Sequence, residues 1–547
     1  MATEDKQDGD RTSAWSMADR LLIAFLGVIS GYALLQILLM GFGRDQGIYA
    51  MVAETVLSGG MPYRDAWDFK PPGVFVIYTL AQGIFGANEW GIRVVEVLSF
   101  ASLIPILGVL ARRFFGDARI GWVAAALAIW VQAQLEFWHT AQPESFGGVL
   151  ALAGLMLSTH PAKLDEPGAR WKPWVWWVAA GLVFGAAGLM KPHLLGVPVV
   201  AAAHAAWRLR VLGEPWKRQL LSFLAIGGGS VGTVALCLLW FAARGALGDL
   251  HHTLFVFAPG YAATTWNSSF LIYYTYSALK GSLFGMSAIM GFGVLLTVGL
   301  GPRAEREREG LWLIAAAAFP QVLGIAIQSK FFSYHYGATL PFVALLAAPG
   351  LWKLWKLAQR YSAFGPAVFA VGVVVAADAR SATRDLPETF LDRSWSRTKA
   401  SLFADAAERS RINGRLYTVA DVNYAANLRV AAWLEQHTDP SDTVYIWGFE
   451  PHIYFAAHRR SASKFIYNVP QRVEWENQWA RDALMRELEA TPPKAIVIER
   501  GDIFPLVTGN NDDSARALLV FPGLKRFIDD RYEYRESIQD FELYLRR

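Results

Sequence analysis

The sequence predicts an α-helical multi-pass membrane protein that carries a C-terminal α/β domain outside the membrane. Of its 547 residues, 54% are hydrophobic and 18% are charged, against about 25% charged in ordinary soluble proteins. Apolar runs near 20 residues, long enough to cross a hydrocarbon core of about 30 Å, recur through the first 380 residues. From residue 381 the chain becomes rich in Arg, Asp and Glu, and its apolar runs shorten to strand length.

Eleven apolar runs are predicted to span the membrane as helices. The first is too long for a cleavable signal peptide and is followed by no small-residue cleavage site. The predicted spans are 20–40, 92–111, 120–137, 144–159, 174–190, 194–209, 219–243, 282–300, 311–329, 338–357 and 363–379.

The short loops divide into basic and weakly basic ones that alternate along the chain. Because cytoplasmic loops are enriched in Lys and Arg, this alternation predicts a cytoplasmic N-terminus. An odd number of spans then predicts that the C-terminus lies outside. The basic groups are Arg112, Arg113 and Arg119; Lys217 and Arg218; Arg306 and Arg308; and Lys353, Lys356 and Arg360.

The tail 381–547 alternates short apolar runs with amphipathic segments, which is typical of an α/β domain. We expect strands at 416–420, 443–447, 495–498 and 542–545, and helices at 426–437 and 480–489. The predicted domains are thus a membrane domain, 1–380, with a long first outer loop, 41–91, and an outer domain, 381–547.

Composition excludes several other classes of protein. The net charge of +4 is small and scattered, which excludes a nucleic-acid partner. The 14% aromatic content excludes disorder, and a single cysteine, Cys237, excludes a disulfide scaffold.

The first outer loop contains the sharpest candidate, Asp45, a few residues beyond the first span. A carboxylate at the membrane boundary loses part of its hydration, so its pKa can rise toward that of a general base. Segments 49–57 and 72–86 have helical apolar spacing but are too short to span comfortably. We therefore expect two interfacial helices that form a platform beside the membrane.

Basic groups also collect at the outer ends of several spans. Such cations can bind an anion, and a lipid phosphate is the anion expected there; as an alternative, long basic side chains anchor helix ends at the interface. For Lys70 and Lys191 we favour binding, because Pro71 and Pro192 follow directly and restrict the local backbone. Glu144 follows Pro143 at the start of the fourth span. Stabilisation of the helix N-terminus accounts for a carboxylate at this position as well as a functional role does.

Several segments, in order and on one predicted side, resemble the membrane glycosyltransferases of the GT-C fold. The similarity is to the protein O-mannosyltransferase and aminoarabinose transferase type, the glycosyltransferase 39/83-like group. The segments are Asp-Gln-Gly-Ile-Tyr at 45–49, Pro-Tyr-Arg-Asp at 62–65, Asp-Phe-Lys-Pro-Pro at 68–72, Gln-Pro-Glu at 142–144, Met-Lys-Pro at 190–192 and Lys-Phe-Phe-Ser-Tyr-His-Tyr at 330–336.

This resemblance implies an inverting enzyme of the bacterial inner membrane, with its outer domain in the periplasm. It would move a sugar from a polyprenyl-phosphate donor to a lipid, glycan or protein acceptor outside the membrane. Asp45 would be the catalytic base. The donor phosphate would be bound by Lys70, Lys191, Lys330 and His335, and substrate would be contacted by Tyr49, Glu144, Asp68 and Arg64.

The sequence departs from the family's commoner Asp-Glu pair, because Gln46 follows Asp45. Since hard divalent cations usually need two carboxylates, we expect metal-independent chemistry and no cofactor, with a divalent cation left open.

Two other functions are compatible with a multi-pass chain. A transporter or flippase for an anionic lipid or glycan would use the outer charges as a vestibule, but transporters usually place ionisable groups near the bilayer midplane. A sensor that binds glycans with its outer domain would not need the long first loop.

Overall fold

The structure is a computed structural model that describes residues 15–160, 173–302, 304–361, 365–366, 371–373, 386, 388–419 and 422–547. Up to residue 361 it is helical. The α-helices are Met17–Leu38, Arg44–Leu57, Gly73–Phe85, Glu89–Ala101, Leu103–Phe115, Ala118–Gln134, Glu136–His139, Pro143–Ser158, Pro173–Met190, Gly196–Val211, Trp216–Ala243, Leu247–His251, Ala258–Ala263, Leu271–Lys280, Ala288–Gly299, Glu305–Gln328 and Leu340–Tyr361.

Local chemistry accounts for many of the helix boundaries. Side chains of Ser16, Asn88, Asp117 and Ser287 accept hydrogen bonds from backbone N–H groups in the first turn of the helices they precede. Short 3₁₀ turns (Pro192–Leu195, Ser268–Phe270, Ser333–Tyr336) and π segments (His252–Phe257, Gly281–Gly285) join several helices.

Among the described residues, six helical segments are long and apolar enough to cross a membrane, or seven if a pair bent by 99° forms one span. Other predicted spans correspond to shorter helices, such as Pro143–Ser158 with 16 residues. At 1.5 Å per residue this helix measures about 24 Å, less than the hydrocarbon thickness. The predicted span 363–379 lies largely outside the described residues. The number eleven therefore stays a prediction, while the multi-pass character is clear.

Helix ends that the charge pattern assigns to one side meet in space. Asp19, fully buried at the start of the first span, accepts hydrogen bonds from Lys356 at 2.7 Å and 2.5 Å and from Arg119 at 3.1 Å. Trp355 and Gln359 donate to the same carboxylate at 3.0 Å and 2.8 Å. This buried cluster joins the N-terminal ends of two helices to the C-terminal end of a third.

The C-terminal domain contains a five-stranded sheet and a two-stranded one. The strands are β1 (Thr418–Val419), β2 (Val422–Asn423), β3 (Thr443–Trp447), β4 (Arg460–Ser461), β5 (Ala495–Glu499), β6 (Tyr532–Ile538) and β7 (Phe541–Arg546). The order β4-β3-β5-β7-β6 places β3 parallel to β4 and β5, and β7 antiparallel to β5 and β6. The α-helices are Phe390–Leu402, Ala406–Leu416, Tyr424–His437, His452–Ala456, Val469–Arg472, Asn477–Ala490, Pro505–Thr508, Ser514–Leu519 and Pro522–Arg531.

The predicted strand 443–447 and the helices near 426–437 and 480–489 are confirmed. Strands β2 and β4 have two residues each, and residues 533–537 of β6 are all exposed, so none of these strands carries the apolar pattern that marks a buried strand. The predicted domain boundary at 381 falls outside the described residues.

The outer domain packs on the first loop and covers the loop helix Arg44–Leu57, whereas the loop helix Gly73–Phe85 leaves Val76, Leu80 and Ile84 exposed. One hydrophobic core joins Tyr49 and Tyr78 of the loop helices to Tyr445 and Tyr454 of the outer domain. Gly47 is required at this contact, because a Cβ there would lie 2.8 Å from the backbone nitrogen of His452. Of the two helices predicted to lie at the interface, Arg44–Leu57 therefore lies beneath the outer domain.

Candidate active site

A cavity of about 140 Å³ lies between the first loop, the segment 332–334 and the outer domain. Eight of its fifteen lining residues are aromatic, so its walls are apolar and a few charged groups stand out against them. The lining residues are Arg44, Asp45, Ile48, Asp68, Phe69, Lys70, Trp138, His139, Tyr261, Phe332, Tyr334, Phe449, Tyr467, Phe504 and Val507.

Asp45 lies in the first turn of the helix Arg44–Leu57 and faces this cavity. The side-chain amide of Gln142 donates to Asp45 Oδ2 at 3.0 Å, and Gln142 Oε1 accepts from the hydroxyl of Tyr49 at 2.9 Å. Tyr49 is fully buried, whereas the Asp45 side chain is 24% exposed. Tyr49 and Gln142 therefore fix the carboxylate from behind and leave one side of it open to the cavity.

Lys70 brings a cation to the same place. Its Nζ lies 3.9 Å from Asp45 Oδ2, 3.4 Å from the hydroxyl of Tyr334 and 4.8 Å from the centre of the Tyr334 ring. Burial lowers the pKa of Lys70, but the carboxylates of Asp45, Glu144 and Asp68 outweigh it and raise that pKa above its ordinary value. The ammonium group therefore stays charged in a site with little water.

Asp68 is a second buried carboxylate of the cavity wall, 1% exposed. The hydroxyl of Tyr467 donates to Asp68 Oδ1 at 2.7 Å, and the backbone N–H of Lys70 donates to Oδ2 at 3.3 Å. Burial raises the pKa of Asp68 to about 6, although Lys70 and Tyr467 act in the opposite direction. Asp68 thus ties the first loop to the outer domain beside Lys70.

Glu144 and Lys191 form a buried ion pair, with Lys191 Nζ 2.7 Å from Glu144 Oε1. Glu144 has no exposed surface, and Lys191 Nζ also reaches Gln328 Oε1 at 3.4 Å. Among the described residues, neither member of the pair lines the cavity, but the Glu144 carboxylate is close enough to raise the pKa of Lys70. The pair lies behind the cavity wall.

His335 and Lys330, both predicted phosphate ligands, also lie off the cavity. His335 is 3% exposed, and burial together with Lys191 and Lys70 lowers its pKa well below the usual value, so the ring is neutral. Lys330 Nζ donates to Thr264 Oγ1 at 2.5 Å and to the carbonyl of Leu506 at 2.7 Å, which joins the membrane domain to the outer domain.

Arg64 lies in a different cleft from Asp45. Its guanidinium is paired with Asp65 at 2.7 Å and donates to the carbonyl of Arg244 at 2.7 Å. The sequence placed Arg64 with the Asp45 group because both belong to the first loop. The chain turns between them at Tyr63, which has φ 69°, and sends the two segments to opposite sides.

The outer domain closes the cavity with residues that the sequence did not single out, namely Phe449, Tyr467 and Phe504. The guanidinium of Arg44 lies 4.6 Å and 4.4 Å from the ring centres of Phe449 and Phe504. Arg44 Nη2 is also 2.6 Å from Glu450 Oε1, and both side chains are buried. An arginine next to Asp45 is thus clamped by the outer domain.

Other residues that sequence reasoning missed had a partial signal. Gln142 and Tyr334 stand in two of the motifs that carried the resemblance, yet neither was assigned a role. Trp138 and His139 belong to a loop without Lys or Arg, so no charge pattern marked them as candidates. Glu450 and His452 of the outer domain bind Arg44 and Glu89.

No group of three or more His, Cys, Asp or Glu side chains arranged to hold a metal ion occurs in the described part of the chain. Metal-independent chemistry stays a prediction.

Residues 69–240 match the family described as dolichyl-phosphate-mannose-protein mannosyltransferase. This segment contains Lys70, Gln142, Glu144 and Lys191. An undecaprenyl phosphate-alpha-4-amino-4-deoxy-L-arabinose arabinosyl transferase of Pseudomonas aeruginosa (strain UCBPP-PA14) is 27% identical over 244 residues, which are 42% of this chain and 40% of that protein. The alignment thus spans about two fifths of the length of the curated relatives.

Two crystal structures of ArnT from Cupriavidus metallidurans share the fold over nearly the whole length. The one bound to undecaprenyl phosphate has a TM-score of 0.56 at 15% identity and covers 96% of this chain and 98% of its own. The apo structure has a TM-score of 0.54 at 14% identity and covers 97% and 98%. The chain therefore has the GT-C fold that the two ArnT structures share, and its segment 69–240 matches the dolichyl-phosphate-mannose-protein mannosyltransferase family.

Proposed function

We propose that the chain is an inverting glycosyltransferase that moves a sugar from a polyprenyl-phosphate donor to an acceptor on the periplasmic side of the inner membrane. The observation that carries this proposal is the pairing of Asp45 with Lys70, 3.9 Å apart, in one aromatic cavity. A sugar phosphate needs a cation where its leaving oxygen gains charge, and an acceptor hydroxyl needs a base. This pair supplies both at neighbouring points.

In the proposed reaction, Asp45 accepts the proton of the acceptor hydroxyl as its oxygen attacks the anomeric carbon. The bond between that carbon and the phosphate oxygen breaks, and the polyprenyl phosphate leaves from the opposite face, which inverts the configuration. Lys70 stabilises the phosphate as negative charge develops on it. The hydroxyl of Tyr334 holds the Lys70 ammonium, and the aromatic walls exclude water and strengthen these electrostatic interactions.

Glu144 and Lys191 would act behind this pair. The Lys191 ammonium is a second cation within electrostatic reach of the phosphate. Because Glu144 pairs with it, this buried charge is not left uncompensated. In the same proposal Asp68 and Tyr49 position Lys70 and Asp45, and Lys330 and His335 support the cavity from its rim.

The proposed orientation has a cytoplasmic N-terminus and a periplasmic outer domain. It is supported by the meeting of Arg119 and Lys356 at the Asp19 cluster, opposite the end where Asp45 and Lys70 lie. Because the Pseudomonas aeruginosa relative is an undecaprenyl phosphate-alpha-4-amino-4-deoxy-L-arabinose arabinosyl transferase, undecaprenyl phosphate is the first carrier to test.

The test uses purified protein in detergent with a panel of radiolabelled undecaprenyl-phosphate sugars and a membrane extract as the source of acceptors. We expect release of undecaprenyl phosphate and transfer of label from at least one lipid-linked sugar, and none from the corresponding nucleotide sugars. Transfer from nucleotide sugars alone, or no release from any lipid-linked sugar, would refute the proposal.

A further inference from the structure

A second, larger cleft lies beside the Asp45 cavity. Its volume is about 450 Å³, roughly three times that of the Asp45 cavity. It lies between the first loop and the outer domain. The cleft is lined by Met51, Glu54, Thr55, Ser58, Gly60, Arg64, Asp65, Arg460, Ser461, Ala462, Ser463, Lys464, Ile466 and Glu487.

Two segments of the first loop contribute residues to both the cleft and the cavity. The helix Arg44–Leu57 gives Asp45 to the cavity and Glu54 to the cleft, nine residues or about 14 Å apart along the helix. The loop that follows gives Arg64 to the cleft and Lys70 to the cavity.

Trp67 separates the cleft from the cavity. It is 1% exposed, its backbone N–H donates to the carbonyl of Lys464 at 2.8 Å, and its ring centre lies 5.7 Å from that of Tyr467. Trp67 lines neither space and thus stands between Lys464 of the cleft and Tyr467 of the cavity.

The cleft differs from the cavity in its chemistry. Where the cavity is aromatic, the cleft offers cations, carboxylates and hydroxyl groups together. Lys464 stacks on the rings of Phe465 and Trp479, and burial raises the pKa of the half-buried Glu54 carboxylate. Mixed donors and acceptors of this kind suit a ligand with many hydroxyl groups.

The backbone that borders the cleft is already hydrogen-bonded. The N–H groups of Ala462, Ser463 and Lys464 donate to Val444 O, Ser461 Oγ and Glu487 Oε2, and the carbonyl of Lys464 accepts from Trp67. An extended peptide binds such an edge mainly through free backbone groups. The side chains of Glu54 and Lys464 make no hydrogen bond to another described residue, and free side-chain groups beside a satisfied backbone favour a saccharide over a peptide.

The cleft also adjoins the membrane. Arg64 donates to the carbonyl of Arg244, the residue that ends the helix Trp216–Ala243, and Arg244 donates in turn to the carbonyl of Gly59. A ligand in the cleft therefore lies beside the end of an apolar membrane helix, where the headgroup of a lipid-anchored molecule would be.

We propose that this cleft binds the glycan of a membrane-anchored acceptor, at a point more than one sugar ring away from the hydroxyl that reacts at Asp45. That the bound glycan belongs to the acceptor rests on the proposed function. Saccharide binding in the cleft can be measured without any sugar transfer. Glu54 and Lys464 are the side chains assigned to bind sugar hydroxyls.

The test is equilibrium binding of fluorescently labelled oligosaccharides, released by mild acid from envelope glycolipids of the source organism, to the full chain in detergent. The variants are Glu54→Gln and Lys464→Gln, with Glu489→Gln, an exposed carboxylate on the Glu487 helix, as the matched control. We expect each cleft variant to raise the Kd about tenfold or more, as for a lost hydrogen bond to a charged group, and the control to bind like wild type.

Asp45→Asn separates the two sites, since it should leave the oligosaccharide Kd within about twofold of wild type while transfer is lost. Equal Kd values in wild type and Glu54→Gln, a nearly isosteric change, would overturn the proposal even if Lys464→Gln failed to fold. Binding of tryptic peptides of secreted proteins in place of the oligosaccharides would overturn it too. Failure of the proposed function would appear separately, as absent donor cleavage.

Discussion

The ammonium nitrogen of Lys70 lies 3.9 Å from a carboxylate oxygen of Asp45, although the two residues are 25 positions apart in the first loop. Gln142 on one side and Tyr334 on the other hold this pair in place. A carboxylate with one open side and a buried cation next to it form the smallest set of groups that the proposed transfer requires.

Lys70→Gln should weaken binding of the donor lipid. The variant removes the cation that faces the phosphate, and hydrogen bonds to charged groups contribute about 1.5–3 kcal/mol, so the Kd for undecaprenyl phosphate should rise at least about tenfold. Native mass spectrometry or fluorescence titration in detergent measures this Kd. Lys525→Gln, at an exposed lysine of the outer domain, is the control, and a wild-type Kd in Lys70→Gln would remove Lys70 from the phosphate site.

Glu450→Gln should loosen the outer domain from the active-site helix. Arg44 and Glu450 are buried and 2.6 Å apart, and loss of one partner of a buried ion pair costs about 3–5 kcal/mol because the other charge is left uncompensated. We expect a Tm lower by several degrees and faster proteolysis of the outer domain. The control Glu435→Gln, at an exposed position of the outer domain, should have the wild-type Tm. A wild-type Tm in Glu450→Gln would show that the Arg44–Glu450 ion pair does not anchor the domain.

Asp68 gives a pH-dependent prediction. Its pKa is raised to about 6 in the folded chain, so the folded state holds a proton that the unfolded state releases near pH 4. Stability from this group is present below pH 4 and is lost as the pH rises to 6, by up to about 3 kcal/mol.

The Asp68→Asn variant carries no such charge, so wild type should lose stability relative to it between pH 4 and pH 6. Thermal melting of both proteins across this range measures the difference. A constant difference in Tm would mean that Asp68 ionises in the folded chain at its ordinary pKa.

The sequence predicted the parts of the molecule that follow from hydropathy and charge. Long apolar runs predicted the membrane helices, and the loops rich in Arg and Lys predicted which helix ends meet at the Asp19 cluster. Asp45 stood out because it lies a few residues beyond the first span, and Lys70 because Pro71 follows it directly and restricts the backbone.

Contacts between segments that are far apart in the chain could not be predicted from the sequence. Nothing local indicates that Phe449 and Tyr467 of the outer domain line the cavity of Asp45, because such residues have the same composition as an ordinary core. Arg64 and Lys330 show the same limit. Their charge was visible, but the turn at Tyr63 and the hydrogen bonds to Thr264 and Leu506 decide where they lie.

The most direct test of the central claim is the rate of sugar transfer by Asp45→Asn from a matched undecaprenyl-phosphate sugar. The asparagine keeps the shape and the contact with Gln142 but does not accept a proton, so transfer should fall by a factor of about 10²–10⁴ while the protein melts and binds donor like wild type. Asp530→Asn, at an exposed carboxylate of the outer domain, should transfer at the wild-type rate. Wild-type transfer by Asp45→Asn would contradict the assignment of Asp45 as the base.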